Sequence, residues 1–247
     1  LVKTIHILFP VLNEEKRLER GVLTTQTYME SLLLTYPLWD FLLTIVDNGS
    51  TDQTQSIGET LAASHKKIQY LRIDTKGVGA AFRAGLAINT ADVIGYMDVD
   101  LSTDITHLED VLRAFDQSPT LMLLNGSRLS KASKMDGRKW YRALSSRGLV
   151  YLLKLFLSLK ASDAICGFKF FKAEAAKRLA ESSSDENGWF YLIEMLLRAE
   201  RMQMHIDELP VRWEDDHQTT VHFFKQTANY LKHIFRLYIE FHFRSKF

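Results

Sequence analysis

The run Gly95-Tyr96-Met97-Asp98-Val99-Asp100 is apolar until it ends in two carboxylates spaced i, i+2. With Val93 and Ile94 before it, the run predicts a buried strand opening into the loop Leu101-Ser102-Thr103-Asp104. Acids at that point stand on the C-terminal rim of a strand, where open α/β sheets bind ligands. Two of them together repel unless a cation lies between. A hard divalent ion, Mg2+ or Mn2+, shared with a diphosphate is the common solution. Asp98 and Asp100 are therefore candidate metal ligands of an enzyme acting on a nucleotide-activated substrate. By itself the pair also reads as solvated loop charge or a helix cap, the commoner use of short acidic pairs at strand ends.

Other residues carry chemistry of less definite kind. Asp47-Asn48-Gly49 is a plain turn sequence, and Asp52 is a favourable acid for a helix's first turn. Gly77 and Gly79 allow close backbone approach and open a helix whose N-terminus favours anions; a tight strand-to-helix loop explains them as well. Between Ser130 and Arg142 the chain is polar and basic, with Lys131, Lys134, Arg138, Lys139 and Arg142. It reads as a functional loop before a strongly apolar helix at Gly148 to Leu159. Arg128, Arg142 and Arg147 are placed to meet phosphate oxygens, which guanidinium forks match. Cys166 is the only cysteine, so an intramolecular disulfide is impossible and a reducing, cytoplasmic setting fits. It reads as a small packed residue. The eight histidines show no ligand spacing, and no zinc site is assigned.

The elements that must hold these residues alternate. Strands are expected at Ile5 to Phe9, Phe41 to Val46, Ile68 to Ile73, Val93 to Met97 and Leu121 to Leu124. Helices are expected at Glu14 to Leu34, Asp52 to His65 and Gly79 to Asn89. Such alternation implies an α/β fold with a mostly parallel central sheet flanked by helices. Further strands are expected at Ile165 to Phe171 and Ile206 to Trp213, and helices at Trp189 to Arg201 and Phe223 to Phe243. The 247 residues suffice for one large domain, and a net charge of +1 gives no reason to expect nucleic acid. No uninterrupted apolar window is long enough to span a bilayer.

Six segments in register resemble the family 2 glycosyltransferases, and within them the polyprenyl-phosphate sugar transferases such as the dolichyl-phosphate glucosyl- and mannosyltransferases. They are Phe9-Pro10-Val11-Leu12-Asn13-Glu14-Glu15, Val46-Asp47-Asn48-Gly49-Ser50-Thr51-Asp52, Lys76-Gly77-Val78-Gly79 through Gly85, Asp98-Val99-Asp100, Gly126-Ser127-Arg128 and Asp163-Ala164-Ile165-Cys166-Gly167-Phe168-Lys169. The resemblance implies a GT-A fold over residues 1–215, with 216–247 as an amphipathic helical extension. It implies an inverting transfer of a hexose, glucose favoured, from a nucleotide diphosphate sugar to a polyprenyl phosphate. UDP-glucose is the favoured donor and GDP-mannose the other.

The implied donor-nucleotide residues are Pro10, Asn13, Glu14, Asp47, Asn48, Asp52, Lys76, Gly77 and Asp98, with the divalent cation on Asp98 and Asp100. Arg128, Arg142, Ser146 and Arg147 are the implied acceptor-phosphate residues. Asp163 and Glu194 stand as candidates for a base or a sugar-positioning group beside Arg128. A saccharide hydroxyl acceptor, or a non-catalytic nucleotide-sugar-binding role, stays open. No G-x-G-x-x-G follows the first strand, which speaks against a dinucleotide enzyme. The chain departs from the pattern at Asn48, where the family has Asp, and across Glu214 to Val221, which lacks glycine and lysine. The basic polar face of the last helix, opposite Phe and Leu, suits a headgroup region as well as it suits packing on the domain. Peripheral contact with the cytoplasmic membrane face is one expectation from it.

Overall fold

The computed structural model describes residues 2–136, 140–214 and 223–243, with the side chains of all but 136–144 and 223–228 among them. In chain order the elements are β1 (Lys3–Val11), α1 (Leu18–Thr35), β2 (Trp39–Asp47), α2 (Thr54–Ser64), β3 (Ile68–Arg72), α3 (Val78–Ala87), β4 (Val93–Met97), α4 (His107–Gln117), β5 (Leu123–Ser127), β6 (Lys134–Asp136), α5 (Trp140–Leu157), β7 (Phe168–Lys172), α6 (Ala173–Ser182), α7 (Phe190–Arg201), β8 (Ile206–Pro210), β9 (Arg212–Glu214) and α8 (Phe223–Phe243). Seven strands form one sheet in the order β3-β2-β1-β4-β7-β5-β8, and β6 pairs with β9 outside it. Among the described strands only β7 runs against its neighbours, β4 and β5.

Strands covered on both faces need apolar side chains on both faces, which is why the central runs are almost continuously apolar. In β1, Ile5, Ile7, Phe9 and Val11 enter the core shared with Leu18, Val22, Leu108 and Leu112. Leu8 enters the other core, with Phe82, Leu153, Leu196 and Leu237. His6 shares that second face and is satisfied there by Thr44 Oγ1 at 2.7 Å and Asn89 Oδ1 at 2.9 Å. Burial lowers its pKa, so a neutral ring bridges the two groups.

Several expected boundaries move for physical reasons. The first helix starts at Leu18 rather than Glu14, because residues 13–15 are bonded to the loop after β2. The second starts at Thr54, whose N–H is held by Asp52 Oδ1 at 3.0 Å. The basic stretch expected as a loop contains β6 and the first turn of α5, which begins at Trp140 rather than Gly148. Residues 137–139, including Arg138 and Lys139, lie outside the described residues. Helices α4 and α6 are additions to the expected order. The segment expected as an extension supplies α8, whose Ile234, Leu237 and Phe241 join the core beside α5 and α7.

Candidate functional site

Two features of the topology build the site. The chain leaves edge strand β3 and returns to place β4 beside β1, so the exits of β1 and β4 open next to each other. Crevices at such switch points are where open α/β sheets hold ligands. The reversed direction of β7 does the rest. Residues before β7, rather than after it, reach this rim, which brings Asp163 to Gly167 beside Asp98. Gly167 has no room for a side chain: a Cβ there would lie 2.1 Å from Asp98 Oδ2.

Asp98 and Asp100 are both partly open to solvent. Asp100 accepts the Ser102 N–H at 2.9 Å and lies 3.9 Å from Arg17, which forks onto Glu14 at 2.8 and 3.0 Å. Among the described residues, no hydrogen-bond donor reaches the Asp98 carboxylate. Burial, then the charge of Asp100, push its pKa up to about 7 despite Arg128 and Lys169. A pair of acids in that state fits a divalent cation. Among the described residues no three His, Cys, Asp or Glu side chains gather to hold a metal by themselves. The remaining ligands would be phosphate and water oxygens, the usual arrangement for Mg2+.

Arg128 and Asp163 form a buried pair on the same rim, 8% and 0% exposed. Asp163 Oδ2 accepts from Arg128 Nε at 2.8 Å and its backbone N–H at 3.1 Å, and Oδ1 accepts from Nη2 at 3.2 Å. The Ile165 N–H adds a fourth bond at 2.8 Å. Burial pushes Asp163 up, but Arg128 and then Lys169 outweigh it and hold the carboxyl at about 2. The Arg128 Nη1 group takes no partner among the described residues. Asp163 therefore grips an arginine and has little capacity left as a base.

The expected donor residues come together, though many are engaged with one another. Asn13, in left-handed conformation at φ 59°, takes Ser50 Oγ on its N–H and offers its Oδ1 to Thr51 N–H at 2.8 Å. Asp52 binds Glu15 N–H at 3.2 Å, so the loops after β1 and β2 are latched. Asp47 is fully buried and held by Ser50 N–H, Tyr70 Oη and Arg72 at 2.8, 2.7 and 3.0 Å. Burial raises its pKa, but Tyr70 and the other donors hold it below the usual range. Asn48 donates to Val11 C=O at 2.8 Å and accepts the Gly77 N–H at 3.0 Å, a donor-and-acceptor combination that an ionised Asp cannot supply. Pro10 sits in β1 opposite Val46, and Lys76 is exposed.

The start of α3 departs from expectation. Its N–H groups at Gly79 and Ala80 are taken by Gly188 and Asn187 carbonyls, each at 3.1 Å. Gly77 has φ 125°, and a Cβ on it would lie 2.1 Å from Asn187 O. The close approach that the glycines allow is by the chain's own 186–188 loop, and those two amides are spent on it rather than facing an anion.

Of the residues expected to meet the acceptor, Ser146 is half-buried and Arg147 exposed on α5, while the Arg142 side chain lies outside the described residues. Glu194 is held between two arginines. It is fully buried in α7 and takes Arg198 at 2.7 Å, Ser184 Oγ at 2.6 Å and the Arg236 guanidinium of α8. Burial raises its pKa, and Ser184, Arg236 and Arg198 together bring it below normal. Its observed contacts dock a helix, with no acid of the rim among them.

Three residues outside the expected set belong to this region. Lys169 is fully buried and donates to Cys166 C=O at 2.7 Å beside Asp98 and Asp163. Glu208 takes Ser162 N–H at 2.8 Å and so holds the loop that carries Asp163. The Trp213 ring lies 5.6 Å from the Arg128 guanidinium. A lysine inside an apolar strand was the one clue visible beforehand, because such a lysine must face a polar partner.

Comparison with known proteins agrees with this architecture. The Glycosyl transferase family 2 model matches residues 6–180. Glycosyltransferase AglD of Haloferax volcanii is 33% identical over 218 residues, 88% of this chain and 34% of that protein. The human dolichyl-phosphate beta-glucosyltransferase is 30% identical over 223 residues, 86% of this chain and 68% of that protein. This chain thus spans about a third of the first relative and about two thirds of the second. Among solved structures, glucosyl-3-phosphoglycerate synthase of Mycobacterium tuberculosis with Mn2+ and UDP-glucose superposes with TM-score 0.66 at 17% identity, covering 95% of this chain and 78% of that one. At that identity the likeness concerns the fold, a mostly parallel α/β sheet of GT-A type. The matched span, two-thirds of the chain and more, and the relatives together place the chain in glycosyl transferase family 2.

Proposed function

We propose that this domain transfers a hexose, glucose in preference, from a nucleoside diphosphate sugar to a polyprenyl phosphate with inversion. The carrying observation is that both carboxylates put forward as bases are committed to arginines, Asp163 to Arg128 and Glu194 to Arg198 and Arg236. A hydroxyl acceptor needs a base to take its proton. A phosphate monoester, with a second pKa of about 6, arrives largely ionised and needs cationic positioning instead. Arg128, whose Nε and Nη2 are held by Asp163 and whose Nη1 has no partner among the described residues, suits that task, and Arg142, Ser146 and Arg147 are proposed beside it.

Asp98 and Asp100 would hold the divalent cation, whose chemistry is to neutralise charge on the departing nucleoside diphosphate. Glu14, Asp47, Asn48 and Asp52 shape the adjoining nucleotide end. The named relative acting on dolichyl phosphate supports the lipid acceptor and the glucose preference. No helix among the described residues is long and apolar enough to cross a membrane. Yet α5 and α8, in contact through Phe156 and Tyr238, expose Tyr151, Leu155, Phe156, Leu231, Phe235 and Phe243. Arg147, Lys154 and Lys232 are exposed on the same helices. This face supports peripheral contact with an anionic headgroup layer.

The test offers UDP-glucose and GDP-mannose, with Mn2+ or with chelator, to a polyprenyl phosphate and to an oligosaccharide. Transfer to the lipid phosphate, lost in Asp100→Asn and in Arg128→Ala while Arg128→Ala keeps nucleotide binding, is expected. Transfer to the oligosaccharide alone would replace the phosphate reading. Nucleotide binding with no transfer to either would leave a binding protein.

A further inference from the structure

Strand β9 lies outside the main sheet, yet it is tied to two segments far from it in sequence. It pairs in parallel with β6, with Met135 opposite Trp213. On its other side it is bonded to the loop that follows the acidic pair. Glu214 N–H donates to Ser102 C=O at 2.8 Å, and Asp104 N–H donates to Arg212 C=O at 3.0 Å. Arg212 N–H donates to His107 Nε2 at 2.8 Å, and its guanidinium meets Asp104 at 3.2 Å. Thr103 and Trp213 form a bridge within this seam.

The side chain at the centre of β9 is Trp213, stacked 5.6 Å from the guanidinium of Arg128. Asp163 grips one edge of that guanidinium through Nε and Nη2. Edge bonds fix a planar group in its plane but leave tilting out of the plane to be limited by what covers its face. We propose that Trp213 is a positioning residue for acceptor-phosphate capture, holding the plane of Arg128 so that Nη1 stays presented. Because its strand is bonded to residues 102–107, the loop after Asp98 and Asp100 and the acceptor arginine share one support. This rests on the phosphate-acceptor reading for its kinetic consequence, though not for its structural one.

The test compares Trp213→Leu and Trp213→Phe with the parent. With a short-chain polyprenyl phosphate, Trp213→Leu should raise the acceptor KM by about ten-fold, the order that a desolvated cation–π contact supplies. Its kcat at saturating acceptor and its Kd for UDP with Mn2+ should stay within about two-fold of the parent. Trp213→Phe should restore most of the acceptor KM. Independently of any transfer, the Arg128 Nε–H resonance should exchange with solvent about ten-fold faster in Trp213→Leu, since a guanidinium without its cover opens more often.

An unchanged acceptor KM together with unchanged Nε–H exchange overturns the proposal. Equal loss of UDP binding and acceptor affinity also overturns it, because that pattern is general damage to the rim. A parent that transfers nothing to lipid phosphate defeats the functional reading alone; faster exchange in Trp213→Leu would then still support the positioning role, and unchanged exchange would end it.

Discussion

Replacing Asp163 by Asn should unfold the protein more easily by about 3 kcal/mol at pH 7, and the loss should shrink in acid. The side chain keeps its shape but loses its charge beneath a guanidinium only 8% exposed. Breaking one partner out of a buried ion pair typically costs about 3–5 kcal/mol, because the other charge is left uncompensated. The pKa of Asp163 gives a second, independent scale. Its fall from 3.8 to about 2 corresponds to about 2 kcal/mol at 1.36 kcal/mol per unit. A depressed acid contributes that stability fully above its unfolded pKa and loses it as pH falls through the folded value. The gap between parent and variant should therefore narrow between about pH 4 and pH 2. For a domain of this size, 3 kcal/mol corresponds to a Tm lower by about 6–12 °C. Circular dichroism melts from pH 2.5 to 7 measure this, and Asp163→Asn combined with Arg128→Met should recover most of the loss. A variant melting within 2 °C of the parent at pH 7, or a gap that stays constant down to pH 2.5, would refute the ion-pair assignment.

Metal-free Asp98→Asn should melt above the parent at pH 8 and level with it near pH 4. A raised acid is held charged at a cost above about pH 7 and at no cost below its unfolded pKa; the variant should also lose any Mn2+-dependent rise in Tm. Asn48→Asp should lower the unfolding free energy read from urea melts by about 1–3 kcal/mol, because Val11 C=O would face a carboxylate oxygen in place of the amide donor. Glu194→Gln should loosen α8, seen as faster proteolysis within 223–243 than elsewhere, since Arg198 and Arg236 would lose their buried carboxylate and keep only the partly exposed Glu240 between them. Unchanged proteolysis would show that the apolar contacts of Ile234, Leu237 and Phe241 dock the helix by themselves.

The rim was legible where a residue and its consequence lie close in sequence. Asp98, Asp100 and Arg128 stand at strand exits that apolar periodicity marks, and the sequence order of those strands already implied an α/β sheet. What could not be read was long-range. The reversed β7 places Asp163 under Arg128 across 35 residues, and nothing local announces an antiparallel strand in that position. The glycines at 77 and 79 announced a close approach without naming the partner, which is the carbonyl run of residues 186–188. Asp47 reads as a turn residue or a donor-nucleotide contact because its partners, Tyr70 and Arg72, belong to the next strand over. Glu194 carried one usable clue, an arginine four residues on, which predicts an ion pair along a helix. The second arginine lies 42 residues away on α8 and, with Glu240, extends the pair into a four-residue charge cluster around the buried Glu194.

Two acids on one rim, Asp98 and Asp163, are driven in opposite directions by nearly the same surroundings. Both lose solvation, and both feel Arg128 and Lys169. The difference is contact: Asp163 receives four hydrogen bonds, two of them from the guanidinium, while Asp98 faces Asp100 and receives none from the described residues. One acid is thereby spent on orienting a cation of the protein, and the other stays a candidate ligand for a cation from outside. This separation carries a consequence for any test of Arg128. Removing the arginine by itself strands Asp163 without its main counter-charge, so its pKa must rise and a second acid competes for the added metal. Loss of transfer in Arg128→Ala therefore counts for the phosphate contact only where nucleotide binding with Mn2+ is measured and kept. The pair Arg128→Met with Asp163→Asn removes both charges together and leaves Asp98 and Asp100 as they are. Nucleotide binding with Mn2+ that survives in this double variant, while transfer is lost, would isolate the phosphate contact; loss of both would mean that the two halves of the rim are electrostatically one site.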